Sequence, residues 1–189
     1  MPVRAARHCY RRPWLLAGRA LARFVDAFGE QCSYIGIDVS EPMLDAARER
    51  FAPYSCVDIR SCDLRSDYPM TDASVTLSVL TLQFVPIEYR LQLVRRMYEH
   101  TVPGGVVILV EKLLGATATI DTLMAQEYLA MKAANGYSQE QIERKRLSLE
   151  GVLVPVTSDW NRDLLRQAGF TQVDCFWRYL NFAGFIALR

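Results

Sequence analysis

The stretch YIGIDVSEPMLDAARERF, residues 34–51, decides how the rest of the chain is read. It opens with an apolar run that ends in an acid, Asp38. It continues through Ser40 and Pro42, which suit the N-cap and first turn of a helix, and keeps a helical pattern to Phe51. A carboxylate at the tip of a strand is placed to accept hydrogen bonds from the two vicinal hydroxyls of a nucleoside ribose. Strands of this kind normally follow a glycine-rich loop about 20 residues upstream. The upstream segment here, RRPWLLAGRALARFVDAFG, offers only Gly18 and Arg19 where that loop belongs.

Working outward, strand and helix patterns alternate from residue 34 onward, which predicts a parallel sheet covered by helices. YSCVDIRSCDLRS supplies a short strand over residues 55–60 and a loop bearing Asp63. ASVTLSVLTLQF is a buried strand rich in β-branched residues, and VVILVEK, the most apolar segment, suits a central parallel strand. Between them IEYRLQLVRRMYEHT places Leu91, Val94 and Tyr98 on one helical face, with Pro103, Gly104 and Gly105 expected to stop it. Residues 116–150 hold two helical stretches joined at Gly136, too long for a simple crossover and read as an insertion forming a lid or an interface. SDWNRDLLRQAGF is a short helix capped by Ser158 or Asp159 and ended by Gly169. QVDCFWRYL and FAGFIALR close the chain as an antiparallel hairpin turning near Asn181.

The 189 residues suit one domain, and 51% apolar with 23% charged residues is the composition of an ordinary globule. No apolar run approaches the roughly 20 residues that span a bilayer. The net charge of +1 conceals an asymmetry: residues 1–24 hold six arginines and no acid, leaving the remainder with a net charge of −5. That body lacks the basic surface that direct nucleic-acid binding needs. The arginine-rich start has the composition of a transit peptide, a nucleic-acid arm or a segment under no folding constraint. Its lack of serine weighs against the first, and we read residues 1–24 as a poorly ordered start and 25–189 as the folded domain. The five cysteines form no CxxC pair, and neither His8 nor His100 stands at ligand spacing, so no metal site is expected. Unpaired thiols point to a reducing cytoplasm.

Asp38, Asp63 in the loop after the third strand, PGG before the fifth and the terminal hairpin together resemble the class I S-adenosylmethionine-dependent methyltransferase fold. This is a Rossmann-like α/β sheet with a terminal antiparallel hairpin and, here, a helical insertion. An ordered set of short motifs narrows the resemblance. LTLQF (80–84), VPGG (102–105), VEK (110–112), ANGYS (134–138), the KR and LE of residues 145–150, AGF (168–170) and NF (181–182) resemble the bacterial carboxy-S-adenosyl-L-methionine synthase family over residues 32–189. The resemblance implies S-adenosylmethionine as cofactor and prephenate, a small anion, as the second substrate. Prephenate gives up its carboxyl to the S-methyl carbon and leaves as phenylpyruvate. The carboxylated product serves tRNA wobble-uridine modification.

The resemblance also implies roles for residues. Asp38, with Val39 beside it, faces the ribose, while Asp63 and the Leu64 N–H face the adenine; turn or cap roles remain open for both acids. Met43 packs on the adenine or belongs to the core. Arg146 of the insertion clamps the new carboxylate in the neighbouring subunit of a homodimer, or is a solvated helix charge near Glu143 and Glu150.

Two departures stand out. Val79 occupies the place of an asparagine that touches the cofactor in the family. Gly18 stands near the family's GCSxG loop, of which no other part remains, so the first strand is doubtful and weaker cofactor binding is expected. WLLA (14–17) is the segment able to replace that strand. The abrupt onset of similarity suggests a truncated or frame-altered start. Two further readings stay open: an S-adenosylmethionine-dependent methyltransferase of a small molecule or tRNA, and a non-catalytic dimeric binding protein that keeps the scaffold.

Overall fold

The computed structural model describes residues 14–16 and 18–189, with side chains from residue 20 onward. Most of the arginine-rich start, including Arg4, Arg7, Arg11 and Arg12, lies outside the described residues. The chain runs β1 (Trp14–Leu16), α1 (Gly18–Phe28), β2 (Tyr34–Asp38), α2 (Glu41–Phe51), β3 (Val57–Ser61) and β4 (Ala73–Val79). It continues through α3 (Ile87–Glu99), β5 (Thr101–Lys112), α4 (Ala118–Ala134), α5 (Gln139–Leu149), α6 (Ser158–Ala168), β6 (Gln172–Tyr179) and β7 (Phe182–Leu188). The strands form one sheet in the order β3-β2-β1-β4-β5-β7-β6, parallel from β3 to β5, with β7 antiparallel to both of its neighbours.

The doubtful first strand is present as three residues. It pairs with β2 through Trp14↔Tyr34, Leu15↔Ile35 and Leu16↔Gly36, and with β4 through Leu15↔Thr76 alone. It lies in mid-sheet, where the order reverses, and α1 opens at Gly18. The anchoring of this half comes from β2, where Tyr34 is buried and its hydroxyl donates to the carbonyls of Phe24 and Gly29 at 3.2 and 3.1 Å. A buried phenol is tolerated because its polar tip finds acceptors.

Two apolar clusters cover the sheet. One gathers Leu21, Val25, Tyr34, Phe51 and Leu77. The larger unites Leu93, Val94, Leu109, Leu165, Phe170 and Phe185 across α3, β5, α6 and β7. On α3 the inward face is rotated from the expected one: Arg90, Leu93, Val94 and Met97 are buried, while Leu91 and Tyr98 are half-buried. The helix ends at Glu99 and the PGG segment lies inside β5, where Gly104 takes φ +77. Glycine adopts that left-handed conformation without the Cβ clash, so the strand kinks there instead of ending. The cap of α6 is Thr157, one residue earlier than expected, with its hydroxyl accepting from the Trp160 N–H. The insertion forms α4 and α5. The second opens with a reciprocal capping box between Ser138 and Gln141, and it buries Ile142, whereas α4 buries no residue. No helix among the described residues is long and apolar enough to cross a membrane.

Phe185 is fully enclosed in the larger cluster. Phe185→Ala is therefore expected to cost about 3–5 kcal/mol. Calorimetry should show the thermal midpoint lowered by roughly 10 °C, and an unchanged midpoint would mean that this layer is not packed as described.

Candidate functional site

The carboxyl ends of β2, β3 and β4 leave a crevice on the side where the sheet order reverses, the place where open α/β sheets take ligands. A cavity of about 540 Å³ lies there, and its walls include Asp38, Val39, Asp63, Leu64, Leu80 and Phe84. Such a volume is in the range of nucleoside-sized sites. Asp38 is half-buried at the tip of β2. Its Oδ1 accepts from the N–H groups of Val39 and Ser40 at 2.8 and 3.0 Å, which fixes the carboxylate and leaves Oδ2 with no partner among the described residues. The Asp38 carbonyl accepts from Cys62 N–H at 3.0 Å, joining this tip to the loop after β3. Ser40 sits at the N-cap of α2 without a side-chain bond to it. Its carbonyl instead accepts from the N–H groups of Met43 and Leu44, both at 2.9 Å.

Asp63 stands on the opposite wall, held by Arg65. The guanidinium donates through Nε and Nη2 at 2.6–3.0 Å, and the Arg65 backbone N–H adds a bond at 3.0 Å. These hydrogen bonds hold the Asp63 carboxyl well below its ordinary value, at about 2. Met43 is 54% exposed and borders only a small void behind Asp38. Val79 is half-buried against the smaller apolar cluster, and Gly18 opens α1.

The third wall is the segment leaving β4. Leu80 adopts φ +53, a left-handed conformation that costs a residue with a Cβ about 1–3 kcal/mol. Beyond it, three backbone N–H groups converge on a buried carboxylate. Glu111 Oε1 accepts from Thr81 and Leu82 at 3.2 and 2.9 Å, and Oε2 accepts from Gln83 at 3.0 Å. Burial pushes the Glu111 carboxyl up to about 7, against the lowering effect of those three N–H donors and of Arg90. Neither residue was among the sequence candidates, although one acid in the apolar run VVILVEK was the available signal.

Leu80 and Phe84 also form part of a second cavity of about 460 Å³ under the helical insertion. Its polar lining includes Gln83, Lys112, Lys132, Lys145, Arg146 and Asn181. The ammonium groups of Lys112 and Lys132 lie 5.8 and 4.6 Å from the centre of the Tyr128 ring, an arrangement attractive to each cation. Burial and the neighbouring Lys132 push the Lys112 ammonium below its ordinary value. Arg146 borders this second cavity and not the one at Asp38. Its Nε and Nη2 donate to Glu143 at 2.9 and 2.7 Å, and Glu150 lies 3.8 Å from Nη1.

The sheet order, the acid at the tip of β2 and the closing hairpin define the class of S-adenosylmethionine-dependent methyltransferase folds. A methyltransferase-domain family model matches residues 17–105. Among solved structures, an O-methyltransferase family 2 protein from Planctomyces limnophilus aligns with a TM-score of 0.67 at 16% identity, covering 94% of this chain and 51% of its own. Human N-acetylserotonin methyltransferase in complex with S-adenosylmethionine aligns with a TM-score of 0.63 at 17% identity, covering 96% and 48%. Within that class, the chain belongs to the carboxy-S-adenosyl-L-methionine synthase family. It is 34% identical to the enzyme of Marinobacter nauticus over 99% of this chain and 76% of the relative. Identity is 37% to that of Methylococcus capsulatus and 40% to that of Wolinella succinogenes, each over 82% of this chain. The chain spans about 65% of the length of these two relatives.

S-adenosylmethionine is the cofactor this fold and family handle, and the donor set fits its nucleoside end: an acceptor oxygen at Asp38 faces a cavity of suitable volume. Val79, which has no polar side-chain atom, is not among the residues that line this cavity, and Gly18 opens α1.

Arg65→Ala should return the Asp63 titration from about 2 toward its ordinary 3.8. Carboxyl-carbon NMR reads the shift directly, and an Asp63 midpoint left near 2 would show that Arg65 is not its cause.

Proposed function

We propose that the chain is a carboxy-S-adenosyl-L-methionine synthase: the ring C–carboxyl bond of prephenate breaks as its ring hydroxyl departs, leaving phenylpyruvate, and the carboxyl joins the methyl carbon of S-adenosylmethionine, whose lost proton leaves with the hydroxide as water. The observation that carries this reading is the pairing of two cavities across one wall. A nucleoside-sized cavity with Asp38 at its edge shares Leu80 and Phe84 with a cavity bordered by four cationic side chains. Asp38 Oδ2 accepts from the ribose diol, and the outer oxygens of Asp63 share the adenine amine with Arg65. Carboxylates have lone pairs to spare for both partners. Val39 and Leu64 supply apolar surface and backbone groups on the same side, while Met43 stays behind Asp38.

In the second cavity Lys112, Lys132 and Tyr128 suit an anionic six-membered ring. The lysine charges attract the carboxylates, and the half-buried position of Lys112 strengthens that attraction by excluding water. Arg146 supplies the planar fork that clamps a carboxylate. It serves the adjoining cavity or, in a homodimer built through residues 116–150, the cavity of a second copy. The exposed Ile120, Leu123 and Leu147 of the insertion support such an interface. Cys56, Cys62 and Cys175 are free thiols, which suits a cytoplasmic enzyme supplying tRNA modification without touching nucleic acid itself.

A plain methyltransferase is the second reading, favoured by Val79, which removes a polar cofactor contact of the family. Mass spectrometry of the nucleoside formed from S-adenosylmethionine and prephenate separates the two. A carboxylated product is expected, and its absence with an efficient methyl acceptor present would reverse the assignment. Asp38→Ala should weaken S-adenosylmethionine binding by roughly tenfold to a hundredfold, the scale of a lost hydrogen bond to a charged group; unchanged calorimetric affinity would reduce Asp38 to a turn residue. Arg146→Ala should abolish the carboxylated product while sparing S-adenosylmethionine binding, and parallel loss of both would remove the clamp role.

A further inference from the structure

The segment between the two cavities is gripped from both sides by a charged pair that takes no place at either cavity surface. Glu111 is 2% exposed and Arg90 1% exposed. The carboxylate holds the N–H groups of Thr81, Leu82 and Gln83. The guanidinium holds the carbonyls that follow: Nε donates to Val85 at 2.7 Å and Nη2 donates to Gln83 at 3.3 Å. The same Nη2 donates at 2.7 Å to Val154, in the stretch leading out of the insertion, and Val154 N–H returns a 2.9 Å bond to the Gln83 carbonyl. Gln83 Oε1 accepts from Lys112 N–H at 2.8 Å, tying the segment back to β5. Leu80, at the head of this segment, is held in its left-handed conformation by a 2.7 Å bond from its N–H to the Val110 carbonyl.

We propose that Glu111, with Arg90, is a positioning residue that sets the shared Leu80–Phe84 wall and thereby shapes both cavities at once. The inference deepens the synthase reading for turnover, while its structural content stands without it. Three amide donors aimed at one carboxylate form a site that a neutral acid satisfies poorly, because a protonated carboxyl has one acceptor oxygen fewer and carries a donor of its own. Ionisation of Glu111 therefore decides whether the wall is fully held. Arg90, from α3, is the charged group acting on it, and Lys112 and the neutral Asn161 border the same small void. The folded carboxyl titrates near 7 against an ordinary 4.5, so the sign is opposite for stability and for shape. The stability tied to this group is fully present below pH 4.5 and is lost as pH rises through about 7, whereas the clamped wall forms as pH rises through the same range.

The experiment follows the backbone amides of Thr81, Leu82 and Gln83 by NMR in the 15N-labelled wild-type chain across neutrality. Glu111→Gln serves as comparison, and S-adenosylmethionine affinity is measured by calorimetry on both. The three amides are expected to shift together with one midpoint near 7 and to lose that transition in Glu111→Gln. Affinity should fall about tenfold in the variant, the effect of one unsatisfied buried group, and wild-type affinity should rise with pH through the same midpoint. Amides that stay still, that follow separate midpoints, or that titrate alike in both proteins overturn the proposal, as does a folded variant with unchanged affinity. If the variant does not fold, the wild-type titration alone decides, since independent amide shifts there refute the clamp. Wild-type protein that shows the joint titration but binds no adenosyl ligand would sink the synthase reading and leave the clamp standing. Tight binding without the joint titration would do the reverse.

Discussion

A parallel sheet that reverses its strand order has one point where consecutive connections leave to opposite faces, and at that point no helix covers the strand tips. Here the reversal falls at β1, which sends α1 to one side while β4 continues on the other. The crevice, the placement of Asp38 and Asp63 across it, and the third wall leaving β4 all follow from that one arrangement. β1 itself is three residues long and pairs with β4 at a single position. The crevice is thus held open less by its central strand than by the strands beside it. The five-residue pairing of β2 with β3 and the long β4–β5 ladder carry the geometry that β1 would otherwise share.

That division explains why the polar devices are concentrated on the β4–β5 side. A buried carboxylate without compensation is expensive, and even a paired one gains little over an apolar substitute. Glu111 is retained where an aliphatic residue would pack with less penalty, and its three N–H partners stand at the start of a single 3-10 turn, Leu82–Phe84, whose first N–H groups have no acceptor within the turn. Arg90 does for the carbonyls what Glu111 does for the amides. The pair makes an irregular, left-handed turn behave as a fixed wall. A wall bordering two cavities needs that property more than it needs stability, because a shift there alters both at the same time.

How much of this was legible in the sequence divides along the same line. Local patterns were readable: the apolar run ending in Asp38, the helix through Phe51, the hairpin turning at Leu180 and Asn181, and the helical pair over 116–150. Their signals lie within a few residues of each other. The PGG segment misled because glycine and proline usually end a helix, while here the kink sits one strand further on. The inward face of α3 misled because it is centred on an arginine, and hydrophobic periodicity counts arginine as outward. Arg90 is buried only because carbonyls from residues 83, 85 and 154 surround it, a fact of tertiary placement with no local trace. The same is true of Lys112, which meets Tyr128 only through the tertiary fold, whereas Tyr128 and Lys132 stand one turn apart on α4.

Arg146 illustrates how a residue can sit in its bland position and remain available for another. On a single chain its fork lies flat against Glu143, two parallel bonds to a carboxylate on its own helix. An exposed pair of this kind is screened by solvent and contributes little to stability. Its geometry nonetheless presents a guanidinium already oriented for bidentate carboxylate contact, at the border of a cavity whose other cations are lysines. Exchanging one carboxylate for another keeps the number and kind of hydrogen bonds, so the exchange has no large intrinsic barrier. What favours the exchange is burial: a substrate carboxylate enclosed with Lys112 and Lys132 meets a lower dielectric than Glu143 does on the open helix. The attraction grows as water leaves. The helical insertion therefore need not be stable against the body to act. In the proposed synthase it needs only to keep Arg146 at the border of the cation-rich cavity it already lines.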